Sequence, residues 1–444
     1  MHRLQPTRSV LEIADRLESA GFEAWCVGGA IRDSLLGGRP LDWDLATSAH
    51  PEQVREIFGR KRTIPVGIEF GTVSILDADG LAHEVTTFRH DVETDGRHAV
   101  VRFGASLDED LARRDFTINA IAFRPATGEL RDPFDGQGDI ASGTIRAVGD
   151  AEQRMKEDRL RALRAIRFAA RYRFTIEPDT LAALVHSAPH LKRLSSERVQ
   201  QELVKTLEQV DAPSEAFRLW KNSGALDVLV PALSGLDDVA LKTLDVLPRD
   251  GALRRCVPQR TANRLAALFI DIPTRHAEAA LKSLRFSRHE VSWSIAMGER
   301  WQTLGEALER LLAGGEIPDV EVRRLLARIG RTHVGGFLRI ALARWEARRA
   351  MGIAAPSRER VCALYRRLLR SRFRDAIEVA DLAIGGDELR AAGIAPGPLY
   401  AKILQAFLDR VLELPARNTP EALLAELPDV LAVLQASQTI TSTH

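Results

Sequence analysis

Asp42 and Asp44 stand two residues apart in Leu41-Asp-Trp-Asp-Leu45. On an extended strand, residues i and i+2 point to one face, so both carboxylates face the same way. Upstream, the apolar run Ala24 to Val27 reads as a buried strand that meets Gly28-Gly29. The chain then turns into a helix carrying Arg32 and Asp33, which Gly37-Gly38 and Pro40 end. Backbone N–H groups at such a glycine turn favour phosphate. Two convergent carboxylates favour Mg2+ bridging phosphate oxygens, and without a cation they repel each other. A D-x-D at a strand end is by itself more often a solvated turn; the glycine turn and Arg32 favour chemistry. The pattern points to a metal-dependent enzyme acting on a nucleoside triphosphate. Glu84, in His83-Glu-Val-Thr-Thr87, reads equally as a third carboxylate from a neighbouring strand or as a polar edge residue.

Three further stretches carry charge in patterns that matter. Arg113-Arg114-Asp115 precedes Phe-Thr-Ile-Asn. An arginine there grips phosphate or ribose with Asp115 holding it, or the step is a helix-end salt bridge. Glu157 to Arg173 reads as one helix in which Asp158, Arg161, Arg164 and Arg167 recur every third residue along a slowly drifting face. Leu160, Leu163 and Ile166 pack on the other side. The charged face is either solvated or, since one acid is followed only by arginines, compensated by something anionic. Asp158 accepts hydrogen bonds and Arg161 only donates them. Cytosine and adenine each show an exocyclic amine beside a bare ring nitrogen, whereas uracil and guanine show a carbonyl beside a ring N–H. An Asp/Arg pair therefore matches C and A and mismatches U and G. A second basic region, Arg344 to Arg374, interleaves Trp345, Tyr365 and Phe373 with arginines. It is a solvated helical face or a phosphate-backbone surface for RNA.

At 444 residues the chain exceeds one core and predicts two to four domains. Its formal net charge of +1 gives no global basic signal, so a nucleic-acid surface has to be local. Cys26, Cys256 and Cys362 are far apart and odd in number, which predicts reduced thiols in a cytoplasmic setting and no metal spacing. Signal-peptide and membrane-span patterns are absent. The elements that must position the carboxylates read as a helix over residues 8–20 stopped by Gly21, then strand, turn, helix and strand. A helix from Pro51 to Phe58 follows, and then strands Ile64–Val66, Thr72–Leu76 and Leu81–Thr87. Residues 89–104 are polar and predict a mobile loop. Leu107 to Arg113 predicts a short helix and Thr144 to Val148 a last strand. From about residue 150 the periodicity is helical, with breaks near Pro178, Pro189, Pro213, Pro231, Pro248–Pro258, Gly314-Gly315, Pro356, Gly385-Gly386, Pro396–Pro398 and Pro415. Residues 437–444 predict a disordered end. The fold class is an α+β head with a small mixed sheet, followed by an all-α remainder.

In order, these stretches resemble the class II tRNA nucleotidyltransferase/poly(A) polymerase family. Gly28-Gly-Ala-Ile-Arg-Asp33 through Leu41-Asp-Trp-Asp44 looks like its first motif, and Arg113-Arg-Asp-Phe-Thr-Ile-Asn-Ala120 its second. Asp132-Pro-Phe-Asp-Gly-Gln-Gly-Asp139 is similar to the third, with Asp135 where glycine is usual. Glu157-Asp-Arg-Leu-Arg161 with Arg164 and Arg167 looks like the fourth, and Arg198-Val-Gln-Gln-Glu202 the fifth, a helix-stabilising element. The resemblance implies that Asp42 and Asp44 bind catalytic Mg2+ and that Gly29, Arg32, Arg114, Asp158, Arg161, Arg164 and Arg167 bind ATP or CTP. It implies a catalytic head (1–149), a base-selecting neck (150–211), a body (212–335), a tRNA-holding tail (336–436) and a disordered end (437–444). Gly71-Thr-Val-Ser-Ile75 and the loop with Asp95-Gly-Arg97 look like the branch that adds C, C and A to tRNA 3′ ends. Narrower alternatives are A-addition alone or poly(A) synthesis. The alternative from another class is an RNA-binding protein with an inactive head. No His-Asp pair of the phosphohydrolase type appears in the helical half.

Overall fold

In the computed structural model, residues 4–94, 99–247 and 257–441 are described. Cys256, the Asp95-Gly-Arg97 loop and most of the expected Pro248–Pro258 break lie outside them. Two compact units form: residues 1–234 with 283–285, and residues 235–282 with 286–444.

The first unit opens with α1 (Arg8–Ser19), which buries Val10, Ile13, Ala14 and Leu17 at helical spacing. It continues through β1 (Ala24–Val27), α2 (Gly29–Leu35), β2 (Asp44–Thr47), α3 (Pro51–Phe58), β3 (Thr63–Ile64), β4 (Thr72–Leu76) and β5 (Ala82–Thr87). Then come β6 (Arg89–Thr94), β7 (Ala99–Phe103), α4 (Leu107–Ala112), β8 (Ala122–Arg124), β9 (Glu129–Arg131), α5 (Gly136–Ser142) and β10 (Thr144–Ile145). Seven strands form one mixed sheet in the order β3-β4-β5-β2-β1-β8-β9, with β2/β5 its parallel pair. β1 lies inside the sheet and is buried on both faces, which is why its sequence is continuously apolar. Ala24 and Cys26 face a core with Val10, Ile13, Leu17 and Ile31. Trp25 and Val27 face a second core with Phe88, Leu107, Leu111 and Val148.

Register is what builds the site. Val27 pairs directly with Asp44, so the glycine turn that follows Val27 lies beside that carboxylate. In the parallel pair Leu45 opposes Val85, which sets Asp44 and Glu84 at the same end.

Four local expectations are corrected. In the segment expected as a mobile loop, residues 89–104, the described residues of β6 and β7 pair as an antiparallel ribbon, with a bulge between Asp91 and Glu93. Backbone pairing, available to any non-proline residue, forms it although β6 is polar apart from Val92. The last strand of the head is only Thr144–Ile145, and it pairs in parallel with β11 (Thr175–Ile176) outside the main sheet. Asp42 lies just before β2 rather than within a strand. The helix expected over Glu157–Arg173 is two, α6 (Ala151–Glu157) and α7 (Leu160–Tyr172), broken where Asp158 takes an extended backbone (φ −144°, ψ 107°). Asp158 Oδ1 accepts from Leu160 N at 3.0 Å, the side-chain-to-backbone bond that lets aspartate compete with a helix.

After β11 come α8 (Pro178–Ser187), α9 (Ser196–Gln209), α10 (Pro213–Asn222) and α11 (Ala225–Leu229). α7 packs on both α9 and α10, so packing continues across residue 212, where the expected body begins. The second unit contains α12 (Asp238–Val246), α13 (Val257–Leu268), α14 (Thr274–Ser283, whose last residue belongs to the first unit), α15 (Arg288–Ala313), α16 (Asp319–Ile329) and α17 (Val334–Ala350). It ends with α18 (Arg358–Arg374), α19 (Gly386–Ala391), α20 (Leu399–Glu413), α21 (Pro420–Ala425) and α22 (Leu427–Thr441). Its described residues form helices and turns and no strand. Breaks fall where proline and glycine predict them: Pro178 and Pro213 are first helical residues, and Gly314-Gly315 separates α15 from α16. Residues 437–441, expected to be disordered, continue α22. None of the described helices is long and apolar enough to cross a membrane.

A buried ion pair ties α7 to α9. Arg167 Nε donates to Glu202 Oε2 at 2.7 Å, and the two side chains are 4% and 2% exposed. Removing one partner strands a buried charge, so Glu202→Gln is expected to lower unfolding stability by about 3 to 5 kcal/mol, whereas an Arg167→Met/Glu202→Leu pair recovers most of it. Urea denaturation reads both; an unchanged midpoint for the single variant would contradict this role.

Candidate active site

The carboxylates, the glycine turn and two of the arginines converge at one end of the sheet. Gly28 has φ +76°, a conformation that side chains rarely adopt, and a Cβ there would stand 3.2 Å from Arg114 Nη1. A Cβ on Gly29 would stand 3.3 Å from Arg32 Nη2. Glycine thus lets two guanidinium groups close on the turn. Arg32 is nearly buried: Nε donates to Asp33 Oδ1 at 2.9 Å, Nη1 donates to Asn119 Oδ1, and the group lies over the rings of Phe168 and Tyr172 at 5.1 and 4.9 Å. Tyr172 OH also donates to Asp33 Oδ1, at 2.9 Å.

Asp42 and Asp44 both reach solvent. Partial burial, then the nearby Glu84 and Asp42 carboxylates, push Asp44 up to about 6, while Arg114 pulls the other way. Negative charge is therefore concentrated here beyond what the protein neutralises. Among the described residues, no group of three or more His, Cys, Asp or Glu side chains is placed to hold a metal ion. Glu84 acts on Asp44 through charge and does not complete such a set. A pair of hard carboxylate oxygens beside a phosphate-binding turn still fits Mg2+, which is commonly held by one or two carboxylates plus substrate phosphates.

Asp115 does not hold Arg114. Arg114 Nη2 donates to Asp110 Oδ2 at 3.1 Å, and Asp115 Oδ2 accepts from Arg164 Nε at 2.8 Å. The arginines of α7 that predict an anionic partner thus find protein carboxylates. Arg161 pairs with Glu157 (2.7 Å), Arg164 with Asp115 (2.8 Å) and Arg167 with Glu202. Arg167, expected to contact nucleotide, is turned into the buried pair with α9.

Asp158 and Arg161 are each clamped separately. Asp158 Oδ2 accepts from Arg198 Nη2 at 2.7 Å. Arg161 Nη1 donates to Glu157 Oε2 and to the Arg154 carbonyl, and Nη2 donates to the Arg113 carbonyl at 2.9 Å. Five N–H groups and three acceptors leave donors over. Arg198 and Glu202, one turn apart on α9, serve Asp158 and Arg167, so the fifth motif holds the fourth. In the third motif, Asp135 has φ 55°, ψ 39°. This is the left-handed region where glycine is easiest and aspartate is tolerated. Asp139 Oδ2 accepts from Thr117 Oγ1 at 2.6 Å and bonds that motif to the second.

The residues that sequence reasoning missed are Asp110, Asn119 and Tyr172. Asp110 had a signal, since it stands three and four residues before Arg113 and Arg114 on a helix. Asn119 also donates to Asp115 four residues away, but its link to Arg32 and that of Tyr172 to Asp33 had no signal, because those partners are distant in sequence.

The second basic region is largely structural. Arg344 pairs with Asp271 and Arg348 with Glu309. Arg358 pairs with Glu346 and Arg367 with Asp319. Trp345 is fully buried, with its indole N–H on Glu309. Arg366 and Arg370 stay exposed, without an ion-pair partner among the described residues, and Phe373 is 77% exposed under Arg372. A cavity of about 600 Å3 in the same unit, lined by leucines and charged residues of α15, α16 and α20, holds none of the candidate residues.

A glycine turn and carboxylate pair on a mixed sheet, followed by helices that clamp an Asp and an Arg, define a nucleotidyltransferase. Residues 24–146 match the poly(A) polymerase head domain, and residues 173–236 match the probable RNA and SrmB-binding site of polymerase A. The CCA-adding enzyme of Latilactobacillus sakei is 33% identical over 422 residues, 93% of this chain and 96% of that one. That of Leuconostoc mesenteroides is 51% identical over 197 residues, 44% of this chain and 48% of that one. The crystal structure of the Bacillus stearothermophilus CCA-adding enzyme in complex with CTP superimposes with a TM-score of 0.74 at 31% identity, covering 97% of this chain and 98% of that one. The chain belongs to the CCA-adding enzyme family.

Burial by itself raises the Asp115 carboxyl, but Arg164, with Asn119 and Arg161, holds it at about 2. With 3.8 as its ordinary value, Asp115 contributes stability that is complete above about pH 4 and lost as pH falls through about 2. The difference corresponds to about 2 kcal/mol. Asp115→Asn is expected to flatten the acid limb of a stability–pH profile over that window; an unaltered limb would contradict the pairing.

Proposed function

We propose that the chain adds C, C and A to the 3′ end of tRNA without a nucleic-acid template, using CTP twice and ATP once. The carrying observation is the pairing of Val27 with Asp44, which sets the phosphate turn beside the carboxylates, together with the clamped Asp158 and Arg161. The tRNA 3′-hydroxyl attacks the α-phosphate, a new phosphodiester forms, the α–β anhydride breaks, and pyrophosphate leaves. Asp42 and Asp44 would hold Mg2+, which when bound supplies activation of the hydroxyl and neutralises charge on the phosphates. Arg114 faces the turn from the protein side and favours the triphosphate there. The N–H groups of Gly28 and Gly29 orient it.

Base choice belongs to Asp158 and Arg161. The carboxylate accepts from the exocyclic amine of cytosine or adenine, and the guanidinium donates to the adjacent bare ring nitrogen. Both groups are fixed by other residues, so neither can turn to suit uracil or guanine, and a mismatch leaves buried groups unpaired. Arg164 supports the arrangement from Asp115. Residues 1–149 thus perform transfer, 150–211 choose the base, 212–335 form a body, and 336–436 hold tRNA, in the cytoplasm. The relatives' names and the CTP complex of the Bacillus stearothermophilus enzyme support this reading.

The decisive assay offers tRNA ending before CCA, after C and after CC, with labelled CTP or ATP and Mg2+. Both nucleotides are expected to enter, stopping after one A. Label from ATP on the CC-ended substrate alone would make this an A-adding enzyme, a long A tract would make it a poly(A) polymerase, and no incorporation would leave an RNA-binding protein. Asp42→Asn and Asp44→Asn are each expected to lower incorporation on the order of a thousandfold with tRNA binding retained. Exchanging Asp158 and Arg161 is expected to change which nucleotide enters without unfolding the chain; an unchanged preference would remove base selection from this pair.

The RNA surface reduces to the exposed Arg366 and Arg370. If each meets a phosphate, neutralising both lowers the slope of log affinity for tRNA against log salt by about 1.4 to 1.8. An unchanged slope would make this face a solvated one.

A further inference from the structure

Asp110 is the most deeply placed carboxylate near the site, 1% exposed on the six-residue helix α4. Its Oδ1 accepts from Arg113 Nε at 3.0 Å and from Arg113 Nη2 at 2.7 Å, and its Oδ2 accepts from Arg114 Nη2 at 3.1 Å. Burial pushes this carboxyl up, and the two guanidinium groups more than offset that, so it is ionised at neutral pH. Both arginines then lead onward. Arg114 reaches the glycine turn with Nη1, 3.2 Å from where a Gly28 Cβ would stand. Arg113 carries the carbonyl that accepts from Arg161 Nη2 at 2.9 Å. The preceding carbonyl, Ala112, accepts from Arg154 Nη1 at 3.1 Å. These carbonyls lie at the C-terminal end of α4, where unpaired C=O groups carry partial negative charge and favour cations.

One buried carboxylate therefore anchors two consecutive residues that face opposite halves of the site. The side chain of the second meets the phosphate turn. The backbone of the first sets where the base-facing guanidinium of Arg161 stands. Glu157 and the Arg154 carbonyl both hold Arg161 through Nη1, and the Arg113 carbonyl alone fixes Nη2, from the head.

We propose that Asp110 is a positioning residue for base discrimination: by fixing Arg113 and Arg114 together, it holds the base-facing Arg161 in register with the phosphate turn. The proposal rests on the reading that Asp158 and Arg161 choose the base. It adds that the choice depends on a carboxylate that is itself closed off from solvent.

Equilibrium binding of CTP and UTP to the full chain in Mg2+, without tRNA, tests it. Wild type is expected to favour CTP; equal binding of both would overturn the underlying reading before any variant is made. Asp110→Asn keeps the shape and replaces one anionic acceptor by a donor facing two arginines. It is expected to weaken CTP about tenfold more than UTP, roughly 1.4 kcal/mol, so that the ratio between them collapses, while any loss through Arg114 at the phosphate turn falls on both alike. A melting temperature measured on the same sample separates this from unfolding. Where Asp110→Asn does not fold, Arg113→Lys serves, because it keeps the charge and the Asp110–Arg114 pair but loses the two-nitrogen grip that fixes the Arg113 backbone. The same loss of ratio is expected. Weakening of CTP and UTP by equal factors in a folded variant, or an unchanged ratio, would overturn the proposal.

Discussion

A helix that carries Arg161, Arg164, Arg167 and Arg171 on neighbouring turns cannot pack unless anions meet those charges. Glu157 and Glu202 come from the flanking helices, and Asp33 and Asp115 come from the head, Asp33 with Arg171 at 3.6 Å. The pairing therefore positions as well as neutralises. Asp115 fixes α7 against the loop after α4, and Asp33 fixes its far end against the helix that follows the glycine turn. Buried ion pairs rarely add much net stability, because desolvation offsets attraction. What they provide here is an arrangement in which displacing either partner leaves a charge stranded.

That constraint separates the chemistry into two parts that share one frame. In the proposed mechanism the transfer half, Asp42 and Asp44 beside the glycine turn, depends on the register of β1 against β2 and is indifferent to the base. The pair proposed to select the base sits where the chain breaks between α6 and α7. The break decides where Asp158 stands, because an unbroken helix would point it along its surface. In the extended conformation its two oxygens are instead held by Leu160 N–H and Arg198. Fixed acceptors and donors are what allow rejection of a wrong base, since a mobile pair would rearrange to meet it.

The outline of the fold was legible in the sequence because it rests on local signals. Helical periodicity with proline and glycine punctuation marked most helices, and the glycine turn between an apolar run and D-x-D marked the transfer half. Three features were not legible. The β6–β7 ribbon is poorly announced by β6, which is polar apart from Val92, and is paired through the backbone. The break at Asp158 arises from a side-chain bond to Leu160 N–H that periodicity does not register. The partners of the arginines on α7 lie up to 138 residues away in sequence (Asp33 to Arg171), so a run of like charge looked uncompensated although the fold supplies the acids. The same blindness affected the second basic region, where Trp345 and Arg367 looked like an RNA surface and instead join helices to one another.

The most direct test of the central claim is a crystal structure of the full chain with CTP, Mg2+ and a tRNA that ends before CCA. The account predicts the triphosphate on the Gly28–Gly29 turn, its α-phosphate against Asp42 and Asp44, and the amine and ring nitrogen of the base on Asp158 and Arg161. A base edge that contacts neither of those two side chains, with the triphosphate correctly seated, would contradict it.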